Sequence, residues 1–83
     1  MKEKIKEIIC SHTYIKREDL DSIGDNDKLT ELGLDSINVV YIIGEIEEEF
    51  NFSFYDEDML LVNFETIDKI LKTVGKYVSV KSV

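Results

Sequence analysis

The chain has 83 residues, 10 of them Lys or Arg and 18 Asp or Glu, which gives a formal net charge of −8. A domain of this size hides only about 60–65% of the surface its unfolded chain exposes, enough for one modest core and too little to wall off a deep substrate cavity. A self-sufficient enzyme is therefore not expected. The carboxylate excess also argues against nucleic acid and anionic membranes, which would be repelled, and favours partners with basic surfaces.

The first residues, Met1-Lys2-Glu3-Lys4-Ile5-Lys6-Glu7, place charges where a signal peptide needs an apolar stretch, and no run approaches the roughly 18 apolar residues of a membrane span. A cytoplasmic protein without membrane insertion is expected. A single cysteine, Cys10, allows no internal disulfide, and with one histidine, His12, there is no cluster of zinc-ligand spacing.

Proline is absent and no repeat or linker composition interrupts the chain, so one domain over 1–83 is the economical reading. Ile5, Ile8 and Ile9, at spacings of three and four, predict a first helix over about 2–12. Residues 13–35 read as a long acidic loop pinned by Ile15, Leu20, Ile23, Leu29, Leu32 and Leu34, with short helical turns possible near 16–21 and 29–32. The strongest helix spans about 36–50, with Asp35 or Ser36 available to cap its amides. A short helix over about 55–61 and a last one over about 65–78, for which Asn63 offers a cap, complete an all-α, four-helix bundle. The last helix carries Ile67, Ile70, Leu71, Val74 and Val78 on one face, and residues 79–83 are expected to fray.

At about 100° per residue, Val39, Ile42, Ile43, Ile46 and Phe50 share one face of the 36–50 helix, the core face. Ile37, Val40, Tyr41, Gly44 and Glu48 share the opposite side, beside Ser36. Either the 13–35 loop covers this second apolar patch, or it is an exposed docking surface. Ser36 sits where the loop meets the helix, so that a phosphate on its hydroxyl would lie near the positive end of the helix dipole; taken alone it reads as an ordinary cap.

Other chemistry is poorly supported. A Ser36/His12/Asp35 triad fails because adjacent Asp and Ser cannot easily take their separate roles and no G-x-S-x-G elbow exists. Asp19, Asp21, Gly24, Asp25 and Asp27 would fill positions 1, 3, 6, 7 and 9 of a calcium loop. Ile23 at position 5, Asn26 at 8 and Thr30 at 12 break that register, leaving a solvated acidic loop. In Glu47-Glu48-Glu49, at least one side chain must flank the core while the others are solvated. Cys10 reads as a small packed thiol and His12 as a surface imidazole.

The segment Glu31-Leu32-Gly33-Leu34-Asp35-Ser36-Ile37, followed by an amphipathic helix ending Glu45-Ile46-Glu47-Glu48-Glu49-Phe50, resembles the phosphopantetheine attachment region of acyl and peptidyl carrier proteins. Phe54-Tyr55-Asp56-Glu57-Asp58 is similar to the start of that family's third helix, and Phe64-Glu65-Thr66-Ile67 to the start of its fourth. The resemblance spans nearly the whole chain.

It implies a four-helix bundle that is not an enzyme. Ser36 would receive the 4′-phosphopantetheine arm of coenzyme A from a phosphopantetheinyl transferase, with Asp35 presenting the serine. The arm's thiol, and not Cys10, would carry acyl or aminoacyl thioesters between loading and synthase enzymes with basic docking surfaces. Ile37, Val40, Tyr41 and Glu48 would form the docking face of a monomer. Asn38 and Tyr41 stand where carriers of the fatty-acid type usually have acids, Gly44 where they have a larger apolar residue, and Tyr55 where proline is common. The resemblance implies a discrete carrier for polyketide, nonribosomal peptide or fatty-acid-type biosynthesis, and these departures point away from housekeeping fatty-acid synthesis toward a specialised polyketide or nonribosomal peptide pathway. The alternative class is a small acidic helical adaptor that binds a partner through the 36–50 helix without a cofactor.

Overall fold

Each apolar stripe finds a partner stripe. The computed structural model describes residues 1–78, in which four α-helices and three 3-10 turns share one core, and the expectation for residues 79–83 lies outside the described residues. In α1 (Lys2–His12), Ile5, Ile8 and Ile9 are buried. Lys6 is buried on the same helix, its stem packed and its ammonium reaching Asp21 at 3.0 Å.

The segment 13–35 contains less irregular backbone than its composition suggests. A one-and-a-half-turn helix, α2 (Arg17–Ser22), and a 3-10 turn at Leu29–Leu32 occupy the two places where helical turns were possible. Their cause is anchoring: Ile15, Leu20, Leu29 and Leu34 are all buried. Gly33 ends the 3-10 turn at φ 113°, in the left-handed region that only glycine enters without strain. The segment is tied to the end of the chain by backbone bonds from Leu29 N–H to the Glu65 carbonyl (2.7 Å) and from Asp68 N–H to the Asp25 carbonyl (2.9 Å).

The long helix, α3 (Ser36–Phe50), stops at Asn51, whose left-handed backbone (φ 59°) turns its amide back to the Glu47 carbonyl. It runs antiparallel to α1: Lys4 approaches Glu49 at 3.8 Å, while the Asn38 carboxamide donates to the His12 carbonyl at 3.1 Å.

The C-terminal third departs from expectation. The short helix expected over 55–61 is instead two 3-10 turns, Asp56–Asp58 and Leu61–Phe64. Asp58 is drawn out of any longer helix, because its carboxylate accepts from Lys76 Nζ (2.7 Å) and the Tyr77 hydroxyl while its carbonyl accepts from Asn63 Nδ2 (3.0 Å). Asn63 is thereby engaged and caps nothing; Thr66 Oγ1 accepts from Lys69 N–H at 3.0 Å instead. The last helix, α4 (Ile67–Gly75), is accordingly shorter than the 65–78 expected.

The fully buried set of Ile5, Ile9, Leu20, Leu29, Ile42, Ile46, Phe64, Ile67, Ile70 and Val74 draws on all four helices. Each such side chain contributes about 1.5–3 kcal/mol on burial. Phe54 packs edge-on against Phe64 at a centroid distance of 5.7 Å, and Tyr77 stacks on Phe52 at 5.0 Å, closing the end of the bundle over α4.

Candidate functional site

Two polar residues build the start of α3. The Asp35 carboxylate accepts from Asn38 N–H at 2.8 Å, and the Asn38 carboxamide oxygen accepts from Asp35 N–H at 3.3 Å, a reciprocal capping box. Asp35, and not Ser36, is therefore the cap, and Ser36 is the first helical residue. The second half of the Asn38 carboxamide holds the end of α1, so the position of the cap is fixed by two helices.

Ser36 is exposed, and among the described residues its hydroxyl has no hydrogen-bond partner. The first amides of a helix lack intrahelical acceptors and carry the positive end of its dipole. A phosphate ester on Ser36 Oγ fits this position: the oxygen is free, its surroundings are open, and the local field favours an anion.

The outer face of α3 is open. Ile37, Val40 and Tyr41 are 67%, 65% and 61% exposed, and the 13–35 segment does not cover them, because its own apolar anchors point into the core. On the other face Val39, Ile42, Ile43 and Ile46 are buried, with Phe50 half-buried.

The glutamates that end α3 are not alike. Glu45 lies 3.4 Å from His12 Nε2, Glu49 faces Lys4, and the Glu47 carboxylate accepts from Phe54 N–H at 2.8 Å. Glu48 is exposed and has no ion pair or hydrogen bond among the described residues. His12 is a half-buried member of this face, its ring nearly parallel to that of Tyr41 at 6.4 Å, which corrects the plain surface imidazole expected. Its neighbours come from another helix, so no local sequence signal marked it.

The remaining candidates are not brought together. The Asp35 carboxylate is occupied by Asn38 N–H, and His12 faces Glu45, so Ser36, His12 and Asp35 do not assemble as a triad. The acidic loop is solvent-exposed as expected, and its carboxylates also find partners within the fold. Asp21 takes Lys6 and Arg17, Asp25 takes Lys2 at 2.8 Å, and the Asp27 carboxylate accepts from Gly24 N–H at 2.7 Å. Burial pushes the Cys10 thiol up, which suits a packing role. Among the described residues no helix is long and apolar enough to cross a membrane.

A family model described as "Phosphopantetheine attachment site" matches residues 3–74. An acyl carrier protein of Buchnera aphidicola subsp. Acyrthosiphon pisum (strain Tuc7) is 33% identical over 76 residues, covering 92% of this chain and 90% of the relative. The protein of the same name from strain 5A is 35% identical over 63 residues, 76% of each chain. A similar fold occurs in the crystal structure of an engineered Bradyrhizobium japonicum glycine:carrier protein ligase complexed with carrier protein from Agrobacterium tumefaciens and AMP. One chain there matches with a TM-score of 0.79 at 30% identity, over 89% of this chain and 97% of that one.

Proposed function

The chain belongs to the phosphopantetheine-binding family of acyl carrier proteins, and we propose that Ser36 is the residue through which it holds its arm. The observation that carries this reading is the division of labour at the start of α3. Asp35 and Asn38 satisfy each other, which leaves the Ser36 hydroxyl exposed and unpartnered at a helix N-terminus. The protein is a carrier and not an enzyme; the bound arm supplies a terminal thiol on which acyl or aminoacyl groups ride as thioesters.

This chain's residues present and position. Asp35 fixes the serine on the first turn and leaves a negative charge beside it for the phosphopantetheinyl transferase to read. Ile37, Val40 and Tyr41 offer partner enzymes an apolar contact area, and Glu48 offers a steering charge to their basic surfaces. The neutral run from Ser36 to Gly44 favours a carrier dedicated to a polyketide or nonribosomal peptide pathway over housekeeping fatty-acid synthesis. A structural neighbour solved with a glycine ligase keeps aminoacyl cargo in view, and relatives called acyl carrier proteins keep acyl cargo in view.

Incubation with coenzyme A and a broad-specificity transferase tests the reading by intact mass. Wild type should gain one phosphopantetheine and Ser36→Ala none, with an unchanged far-ultraviolet circular dichroism spectrum. Modification of the variant, or none of the wild type across several transferases, would sink it.

A further inference from the structure

An acyl group on the arm can stay in water or enter the apolar core, and each of its methylenes gains by leaving water. The side of the bundle between α3 and α4 is the natural point of entry. It is closed by two 3-10 turns, Asp56–Asp58 and Leu61–Phe64, whose hydrogen bonds are poorer than those of an α-helix.

On that side the core changes composition. The buried apolar side chains are Ile, Leu and Val throughout, except for Phe54 and Phe64. Phe54 meets the rings of Phe64, Tyr77 and Phe52 edge-on at centroid distances of 5.7, 5.1 and 4.8 Å, and Tyr77 stacks on Phe52. A ring has no internal bond to rotate, so a chain entering here must displace a whole side chain from a densely packed interior.

Polar ties hold the rings in place. Phe54 N–H donates to the Glu47 carboxylate of α3 at 2.8 Å. The Tyr77 hydroxyl accepts from Tyr55 N–H at 3.0 Å and donates to Asp58, which Lys76 Nζ also reaches at 2.7 Å. The ring cluster is thus fastened to α3 on one side and to the chain just after α4 on the other.

We propose that Phe54 and Phe64 exclude cargo from the core, so that the acyl group stays outside the bundle and the carrier serves short or polar acyl and aminoacyl groups in place of long aliphatic ones. The inference rests on Ser36 being the attachment residue and deepens that reading by naming the class of cargo. A long aliphatic chain that the core cannot take stays in water at a cost that grows with every methylene, whereas an aminoacyl or short acyl group is at home there.

Acetyl-coenzyme A and octanoyl-coenzyme A, as donors for a broad-specificity transferase, place the two acyl-phosphopantetheine groups on Ser36 Oγ with release of the adenosine bisphosphate half, and intact mass verifies each load. Thermal melts then compare the acetyl and octanoyl forms of wild type, Phe64→Ala and Phe54→Ala. In wild type the two forms should melt within about 2 °C of each other, because the extra methylenes find no room. Each variant opens an apolar void of the kind that stays dry and takes an apolar guest, so its octanoyl form should melt at least about 5 °C above its acetyl form. An octanoyl gain in wild type as large as in the variants would overturn the exclusion. So would the absence of a gain in both variants, because the rings would then not occupy space that a chain can reach. If one variant fails to fold the other decides, and if both fail the wild-type comparison decides alone. Wild type that accepts no arm, or Ser36→Ala that accepts one, is seen by mass before any melt and would overturn the underlying reading and the exclusion with it.

Discussion

Asp35 and Asn38 exchange hydrogen bonds across the first turn of α3, carboxylate to amide at 2.8 Å and amide to carboxamide oxygen at 3.3 Å. The pair encloses Ser36 between two engaged residues and leaves its hydroxyl to the outside. Asn38 extends the arrangement to α1 through the His12 carbonyl, so the serine is positioned by packing as well as by its own helix.

The two roles of Asp35 can be separated. Asparagine caps as well as aspartate does, so Asp35→Asn should hold stability within about 0.5 kcal/mol while slowing loading through loss of the charge beside Ser36. Asp35→Ala should in addition cost about 0.5–2 kcal/mol. Urea titrations and transferase kinetics on both variants make the comparison; equal loading by Asp35→Asn and wild type would show that the charge is not read.

Tyr41 and Ile46 lie five residues apart on opposite faces of α3 and should behave oppositely. Tyr41→Ala removes an exposed ring and should change stability by no more than about 0.5 kcal/mol while weakening loading by a cognate partner. Ile46 is 0% exposed, so Ile46→Ala should cost about 2–5 kcal/mol through lost burial and a cavity. Thermal melts alongside loading rates check both. A Tyr41→Ala loss as large as that of Ile46→Ala would mean that the contact of Tyr41 with His12 is structural and not part of a docking face.

Asp58 should govern part of the acid response. Hydrogen bonds from Lys76 and then Tyr77 hold its carboxyl below the ordinary value of 3.8. A depressed folded value means that the unfolded chain binds the proton first. The stabilisation is therefore complete above 3.8 and is lost as pH falls through the folded value. Asp58→Asn should lower stability at pH 7, and its deficit against wild type should shrink on the acid side of 3.8. Chemical melts across that range provide the check; a deficit that does not change with pH would contradict the charge-based account of this clasp.

Most of the fold was legible because it follows from period. The stripes of Ile5, Ile8 and Ile9, of Val39, Ile42, Ile43 and Ile46, and of Ile67, Ile70 and Val74 are all buried. The same arithmetic on the other side of α3 accounts for the exposure of Ile37, Val40 and Tyr41. What escaped the sequence depends on partners far along the chain. Asp56-Glu57-Asp58 carries no local signal that Tyr77 and Lys76 will take the third acid and confine the segment to 3-10 turns. Thr66 and Asn63 are both plausible caps by type, and only the contact of Asn63 with the Asp58 carbonyl decides between them. His12 joins Glu45 and Tyr41 solely because α1 and α3 are antiparallel. The choice of Asp35 over Ser36 as the cap, which frees the serine, turned on Asn38, whose side chain can answer the cap in both directions.

The central claim is that one serine of the six in the chain carries the arm. Fragmentation mass spectrometry of the protein after reaction with coenzyme A and a phosphopantetheinyl transferase tests it most directly, because it locates the added group on a residue. The account predicts one phosphopantetheine per chain, on the fragment containing Ser36, and none on Ser11, Ser22, Ser53, Ser79 or Ser82. An adduct on any of those five, or a second adduct beside that on Ser36, would contradict it.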